Sequence, residues 1–524
     1  MTLNISNKMK NRKYTTNIYP KTWGSILAIC LLMMSGCDKG FDDLNINKTA
    51  ALAINPIFTL NNATVNASFP SGILLYEMGI VQQVISPNTG VLVGANFNQD
   101  YRDNTVQNWQ RYYRSVIRNT YDVINTTKNL PARSNLYNMA RILQSYGFLI
   151  LTDSYGDIPY TEAAKGYTDQ IVFPKYDTQQ AVYAGIIKEL NEATAALDAS
   201  KTIEGADVLY GGNVAFWRKL GNSLLLRVGM RLTKVDAAQA QQLAQKAFQA
   251  GVMEVNNDNA FIKHDANYTN AVSALLNSTE ANNVYLGAPF VNYLQNTNDP
   301  RLRSIAVRYV GANSGPLQVP ARANTDPAVQ IGMPFGFDNG SISSEVAKSK
   351  LASFYDYSQL DRTRMAKVTA PMFLVTAAQT QLLLAEAAQR GWITGTSAET
   401  FFNRGVRLHL EQMALYDANS AVPAASIDAY LKANPYDRLK GLEQINVQYW
   451  IASFLNGPEA FANFRRSGFP NLAPNPFPGK GIKGNFISRL TYPISEISVN
   501  SMNVGEAIKR MGADDLDTKV WWDK

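Results

Sequence analysis

Along much of the chain apolar side chains return every three or four positions, the period of a helix with one buried face. Between residues 106 and 130, Trp109, Tyr112, Tyr113, Val116, Ile117, Tyr121 and Ile124 share such a face, and Pro131 closes the run. Leu136, Ala140, Leu143, Gly147 and Ile150 mark a second helix over 136–151. Further amphipathic runs cover 179–197, 213–232 and 236–250, the last with Asp236 placed to cap its start and Gly251 its end. The pattern resumes at 372–390, which stops at Gly391-Trp392, and at 396–415. The alanines of this pair permit close packing of tetratricopeptide type, although the period is too irregular for a regular solenoid.

A final pair lies in 443–472. From Val447, the positions Trp450, Ile451, Phe454 and Leu455 follow the i, i+3, i+4, i+7, i+8 spacing of a buried face. Asn456-Gly457-Pro458 stops that helix and opens the next, where the missing N–H of proline costs nothing, and Gly468-Phe469-Pro470 ends it. Arg465 and Arg466 fall in its last turn, favourably for the helix dipole. By contrast, 256–370 has little helical periodicity and is dense in Asn, Gly, Pro and aromatics, while the stretch before 106 reads as irregular. The expectation is a mainly α fold. A helical scaffold over about 106–255 and 371–470 carries a long loop-rich insertion with few short strands over 256–370, all within one domain spanning 37–524.

The composition is that of a globular protein. Its formal charge of +7 is uneven, since Lys8, Lys10, Arg12, Lys13 and Lys21 precede residue 37 with no acid among them, leaving +2 for the remainder. A nearly neutral body lacks the concentrated basic surface that nucleic-acid binding needs. With two cysteines, Cys30 and Cys37, there is no disulfide framework or cysteine metal site. His264 and His409 are the only histidines, so a histidine metal cluster or a Ser-His-Asp triad has little to draw on, and no cofactor is expected.

The basic start precedes an apolar run over 23–34, too short to span a bilayer and suited to a secretory signal over 1–36. Met34-Ser35-Gly36-Cys37 resembles the bacterial lipobox, with Met34 in place of the usual leucine, which predicts cleavage before Cys37 and lipidation of its sulfur. Acyl chains contribute about 0.8 kcal/mol per buried methylene, so several would hold the protein on a membrane without a spanning helix. The polar tether over 38–45 carries acids of the kind that direct such lipoproteins to the outer face.

Catalytic patterns are weak. Gly479-Lys480-Gly481-Ile482-Lys483-Gly484 fits G-x-G-x-x-G in letters, yet prolines precede it and no helix follows, so it reads as a loop. Asp153, Asp157 and Glu162 cluster in one turn-rich exit. A glycosidase needs two carboxylates about 5 to 10 Å apart across a sugar, and acids in turns more often cap helices or bind backbone amides. The expectation is a protein that is not an enzyme.

Four stretches together resemble the SusD/RagB family of nutrient-binding outer-membrane lipoproteins: YGDIPYTEA at 155–163, LLLAEAAQRGW at 382–392, QYWIASFLNGPEAFANFRRSGFP within 443–470, and RLTYPISE at 489–496. Phe461 stands where tryptophan is usual, and FWRKLGNSL at 216–224 adds a further match. The resemblance implies a SusD-like fold and a lipoprotein held on the outer membrane through Cys37. It also implies capture of oligomeric nutrients, glycans or in some members peptides, and delivery to a TonB-dependent transporter of the SusC type. The contrasting reading is a surface glycoside hydrolase built on a helical toroid.

Sugars present hydroxyls and apolar C–H faces, so their capture calls for exposed aromatics beside directional polar groups. The family meets its ligands with the loop before the first long helix and with the insertion. This points to Asn96, Phe97, Tyr101, Asn283, Tyr285, Phe335, Phe337, Asp338 and Asn339 as ligand-binding residues, although neither loop holds a tryptophan.

Overall fold

The computed structural model describes residues 54–87, 94–276 and 284–524. The signal segment, Cys37 and Asn283 lie outside the described residues. From Asn55 to Lys524 the chain folds as one unit, and its helices of eight residues or more are numbered here in order. They are α1 (Pro56–Asn66), α2 (Ser71–Ile80), α3 (Arg102–Arg111), α4 (Arg118–Thr127), α5 (Ser134–Tyr155), α6 (Gln179–Ala196), α7 (Val214–Arg231) and α8 (Ala237–Ala250). Then come α9 (Ala288–Asn296), α10 (Ala377–Gln389), α11 (Ala398–Tyr416), α12 (Ala424–Ala433), α13 (Gly441–Ala452), α14 (Gly457–Ser467) and α15 (Ser501–Met511).

Neighbours in sequence pack on one another from α4 through α8. Helix α7 leads the packing on to α10, which holds α11 and α13; α14 then returns against α2 and α5, so the pairs share one core. The start of α8 is capped as the sequence predicts, and that of α14 by the asparagine that ends α13's connection. Asp236 accepts from the Gln239 amide, and Asn456 from that of Glu459. At the far end of α14 Gly468 takes a left-handed φ of 77°, which glycine adopts without strain.

Three departures have physical causes. Residues 372–375 are a strand, β7 (Met372–Val375), and not the start of a helix, because a short, wholly buried apolar run has no polar face from which to tell the two apart. It pairs antiparallel with β2 (Ala260–Ile262), and Thr376 with Gln379 then forms the capping box that begins α10. Helix α2 is buried on nearly every side and so shows no amphipathic period. The helix beginning near 106 starts at Arg102 and is interrupted by a π-helical turn over Tyr112–Ile117 before α4 continues it.

The insertion supplies four strands of a five-stranded antiparallel sheet, joined at one edge by β1 (Val84–Ile85), in the order β1, β3 (Tyr285–Leu286), β6 (Gln359–Leu360), β4 (Ala306–Tyr309) and β5 (Ala323–Asn324). It has its own small core of Ile85, Tyr285, Met333, Phe335, Ile342, Leu351 and Tyr357. The aromatic rings Tyr285, Phe335 and Tyr357 thus pack within the insertion's own core.

Charged residues of the recognisable motifs lie inside the scaffold. Glu386 meets Arg466 through two parallel hydrogen bonds of 2.8 and 2.7 Å, and Arg390 at 2.8 Å. Burial pushes the Glu386 carboxyl up, but the two guanidinium groups outweigh it and hold the group at about 2. Glu459 accepts from Arg231 at 2.7 Å and from the Tyr449 hydroxyl at 2.6 Å, and Arg231 reaches Asp153 at 3.1 Å. These contacts tie α5, α7, α10, α13 and α14 together.

Candidate functional site

Three loops far apart in sequence meet at the edge of the insertion: 94–101, 333–341 and 473–481. Asn96, 1% exposed, joins them. Its side-chain amide donates to the Ser86 and Phe337 carbonyls, each at 3.0 Å, its Oδ1 accepts from the Gly336 amide at 3.3 Å, and its carbonyl accepts from the Asn475 side chain. The hydrogen-bonding capacity of Asn96 is thus spent on protein partners, so it is a clamp more than a surface group.

Close approach explains the glycine beside it. At Gly336, where φ is 86°, a Cβ would lie 2.8 Å from Pro476 Cγ. The third loop is fastened to the first by Gly481 N–H to Asn98 O and Gln99 Nε2 to Gly479 O, both 2.9 Å.

On this frame Phe97 stacks against Phe477, ring centroids 3.9 Å apart and 21° from parallel, and both rings are half-buried. Phe337, half-buried and packed on the small core of the insertion, precedes the exposed Asp338 and Asn339. Asp338 Oδ1 accepts from the Gly340 and Ser341 amides at 3.0 and 2.7 Å, which, with the Ser341 hydroxyl, lowers its carboxyl below the usual range. Asn339 donates its backbone N–H to Pro87 O at 2.9 Å. Tyr101, half-buried, precedes α3 and packs on the main core.

The structure thus brings Asn96, Phe97 and the 335–339 run together. It places Tyr285 and Phe335 inside, in the small core of the insertion, with Tyr285 fully buried and edge-on to Phe354. Phe477 was not among the sequence candidates. Its signal was an aromatic set between Pro476 and Pro478 in a segment too proline-rich for regular structure, which fixes a ring near the surface.

The other candidate chemistry is absorbed by structure. Asp153 accepts from Trp522 Nε1 at 3.0 Å and pairs with Arg231; Asp157 accepts from the Gln179 amide at 2.9 Å and pairs with Arg510 at 3.0 Å; Glu162 accepts from the Lys175 amide at 2.8 Å. His264 sits between Ser68 Oγ at 3.2 Å and Ala370 O at 2.8 Å, and His409 lies buried at 2.9 Å from Arg301. No cluster of metal-ligating side chains occurs among the described residues. The G-x-G-x-x-G stretch is loop, with the Gly484 amide bonded to Asp517 at 2.8 Å.

Fold and site together define a helical-pair scaffold that presents a polar and aromatic surface on loops. The chain belongs to the SusD-like family, described as starch-binding and associating with the outer membrane, whose model matches residues 47–493. A solved structure described as a chitin-binding protein is 32% identical with a TM-score of 0.79, covering 90% of this chain and 100% of that one. A chitin-binding SusD homologue from Flavobacterium johnsoniae is 26% identical with a TM-score of 0.71, over 90% and 97%. A SusD homologue from Bacteroides uniformis is 25% identical with a TM-score of 0.73, over 90% and 99%. No curated protein sequence matches the chain. None of the described helices is long and apolar enough to cross a membrane.

Proposed function

We propose that the protein is a surface receptor for glycan fragments, anchored on the outer membrane by acyl chains on Cys37, that delivers its ligand to a TonB-dependent transporter. The observation that carries the reading is the stacked Phe97–Phe477 pair, next to the Asn96 clamp that joins its loop to the one bearing the exposed Asp338 and Asn339. Aromatic rings take the apolar faces of pyranoses, while the neighbouring acid and amides take hydroxyls.

Phe97, Tyr101, Phe337, Asp338, Asn339 and Phe477 are the proposed contacts, with Asn283 adding an amide. Asn96, Tyr285 and Phe335 hold the surface in shape. The ligand class is β-1,4-linked N-acetylglucosamine, as supported by the two relatives described as chitin-binding.

Titration calorimetry on the chain from residue 38 onward, with chitin hexasaccharide, maltohexaose and peptides in parallel, tests this. Saturable binding of the chitin fragment without product is expected. Peptide binding alone, or cleavage of the glycan, would overturn the reading. The anchor is tested separately: Cys37→Ala should move the protein from the outer-membrane fraction to the soluble one, and co-purification of a transporter with the lipidated form should be lost with it.

A further inference from the structure

The closing motif RLTYPISE is only partly used by the fold. Arg489 is buried against Asp514 at 2.8 Å, and the Tyr492 hydroxyl donates to Asp157 O at 2.6 Å. Glu496, at the motif's end, instead faces a separate cavity of about 260 Å³. The cavity lies between the helix running through 109–114, the 159–174 loop and the segment 495–500. Trp109 and Tyr113 supply aromatic walls, Val172 and Val499 an apolar rim, and Gln110 and Arg114 exposed polar groups.

Three observations mark it as a built site. First, the Glu496 carboxylate accepts from the Tyr176 hydroxyl at 2.9 Å and forms no ion pair among the described residues, so it retains accepting capacity toward the cavity. Second, Tyr113 and Arg114 lie on the π-helical turn Tyr112–Ile117, a geometry that is rare and concentrates at functional sites. Third, the two outer walls are pinned together: Asn500 donates to Pro174 O at 2.8 Å and Asn503 to Phe173 O at 3.0 Å. The cavity is about the size of the smallest ligand pockets, roughly 300 Å³, and suits one ring.

We propose that this cavity is a second glycan subsite that takes a single hydroxyl-bearing pyranose ring. The ring face lies on the aromatic walls, hydroxyls donate to Glu496, and Arg114 donates to a ring substituent such as an acetamido carbonyl whose methyl meets Val172 and Val499. The acetamido assignment rests on the proposed function; the aromatic, acidic and basic lining calls by itself only for a polar ring.

Hydrogen exchange on the chain from residue 38 onward, with the trisaccharide of β-1,4-linked N-acetylglucosamine and with maltotriose as the second probe, tests it. Protection is expected in two places, the loops 94–101 and 473–484, and the cavity walls 109–114 and 494–500. The Glu496→Gln, Arg114→Ala double variant should weaken the second by tenfold or more, leave the first, and keep the parent melting temperature. Protection confined to the loops would overturn the subsite and leave the proposed function standing. Protection confined to the cavity walls would uphold the subsite and overturn the loop face, and no protection with either sugar would overturn both.

Discussion

The scaffold and the loop face are fastened by different chemistry. Inside the helical pairs the ties are ionic: Glu386 to Arg466 and Arg390, Glu459 to Arg231. At the loop face they are neutral, with Asn96, Gln99 and Asn475 bonding backbone groups of other loops. Removing one member of a charge pair in a low-dielectric interior strands the other, so these ties resist the loss of either partner. Amide clamps hold loops at smaller cost and leave the rings above them accessible. The motifs around Glu386, Glu459 and Arg466 therefore report how the scaffold is held, whereas the proposed loop contacts lie outside them.

The strongest way to break this contrast is to strip one partner from an ionic tie. Arg466→Ala leaves Glu386 with one guanidinium and should cost about 3–5 kcal/mol, read as a lower urea midpoint. An unchanged midpoint would remove the distinction between the two regions. Next comes acid and alkali. Glu386, held at about 2 against an ordinary 4.5, contributes stability that is present above pH 4.5 and lost as pH falls toward 2. Glu77 is the opposite case: burial raises it to about 8, outweighing Arg465 and the Ser154 hydroxyl. Its contribution is full below pH 4.5 and lost as pH rises through 8. Glu77→Gln should flatten the fall of a melting-temperature profile between pH 4.5 and 8 by an amount worth a few kcal/mol, leaving the part below pH 4.5 intact.

Asn96→Ala should cost about 1–3 kcal/mol, confined to the loops. Faster hydrogen exchange at 94–101 and 335–339, with helix amides unaffected, is the expected signature. The smallest effect on folding belongs to Phe97→Ala and Phe477→Ala. Each should weaken glycan binding about tenfold, near 1.4 kcal/mol, with the urea midpoint within the ordinary surface range of about 0.5 kcal/mol. A large loss of stability in either would move that ring into the core and sharpen the boundary differently.

Amphipathic helices such as α6 and α8 were legible because one face is polar and the caps are explicit. Helix α2 and strand β7 were not, since burial on every side erases the period that distinguishes helix from strand. At the candidate site, residues 96–101 and 335–339 were legible as aromatics and amides in loops, but periodicity says nothing about exposure there. Tyr285 and Phe335 accordingly proved interior. Phe477 was hidden because its partner, Phe97, lies in a loop 380 positions away, and local pattern carries no information about such a contact.

That separation has a temporal side. Asn96 reaches Phe337 across 241 positions and receives Asn475 across 379. Contacts so distant along the polymer close late, after local helices have formed. A chain cut before residue 475 has no ring to set against Phe97 and also loses core residues such as Tyr492 and Trp522. The proposed ligand surface is thus assembled from both ends of the folded unit and is complete only once residue 477 is in place.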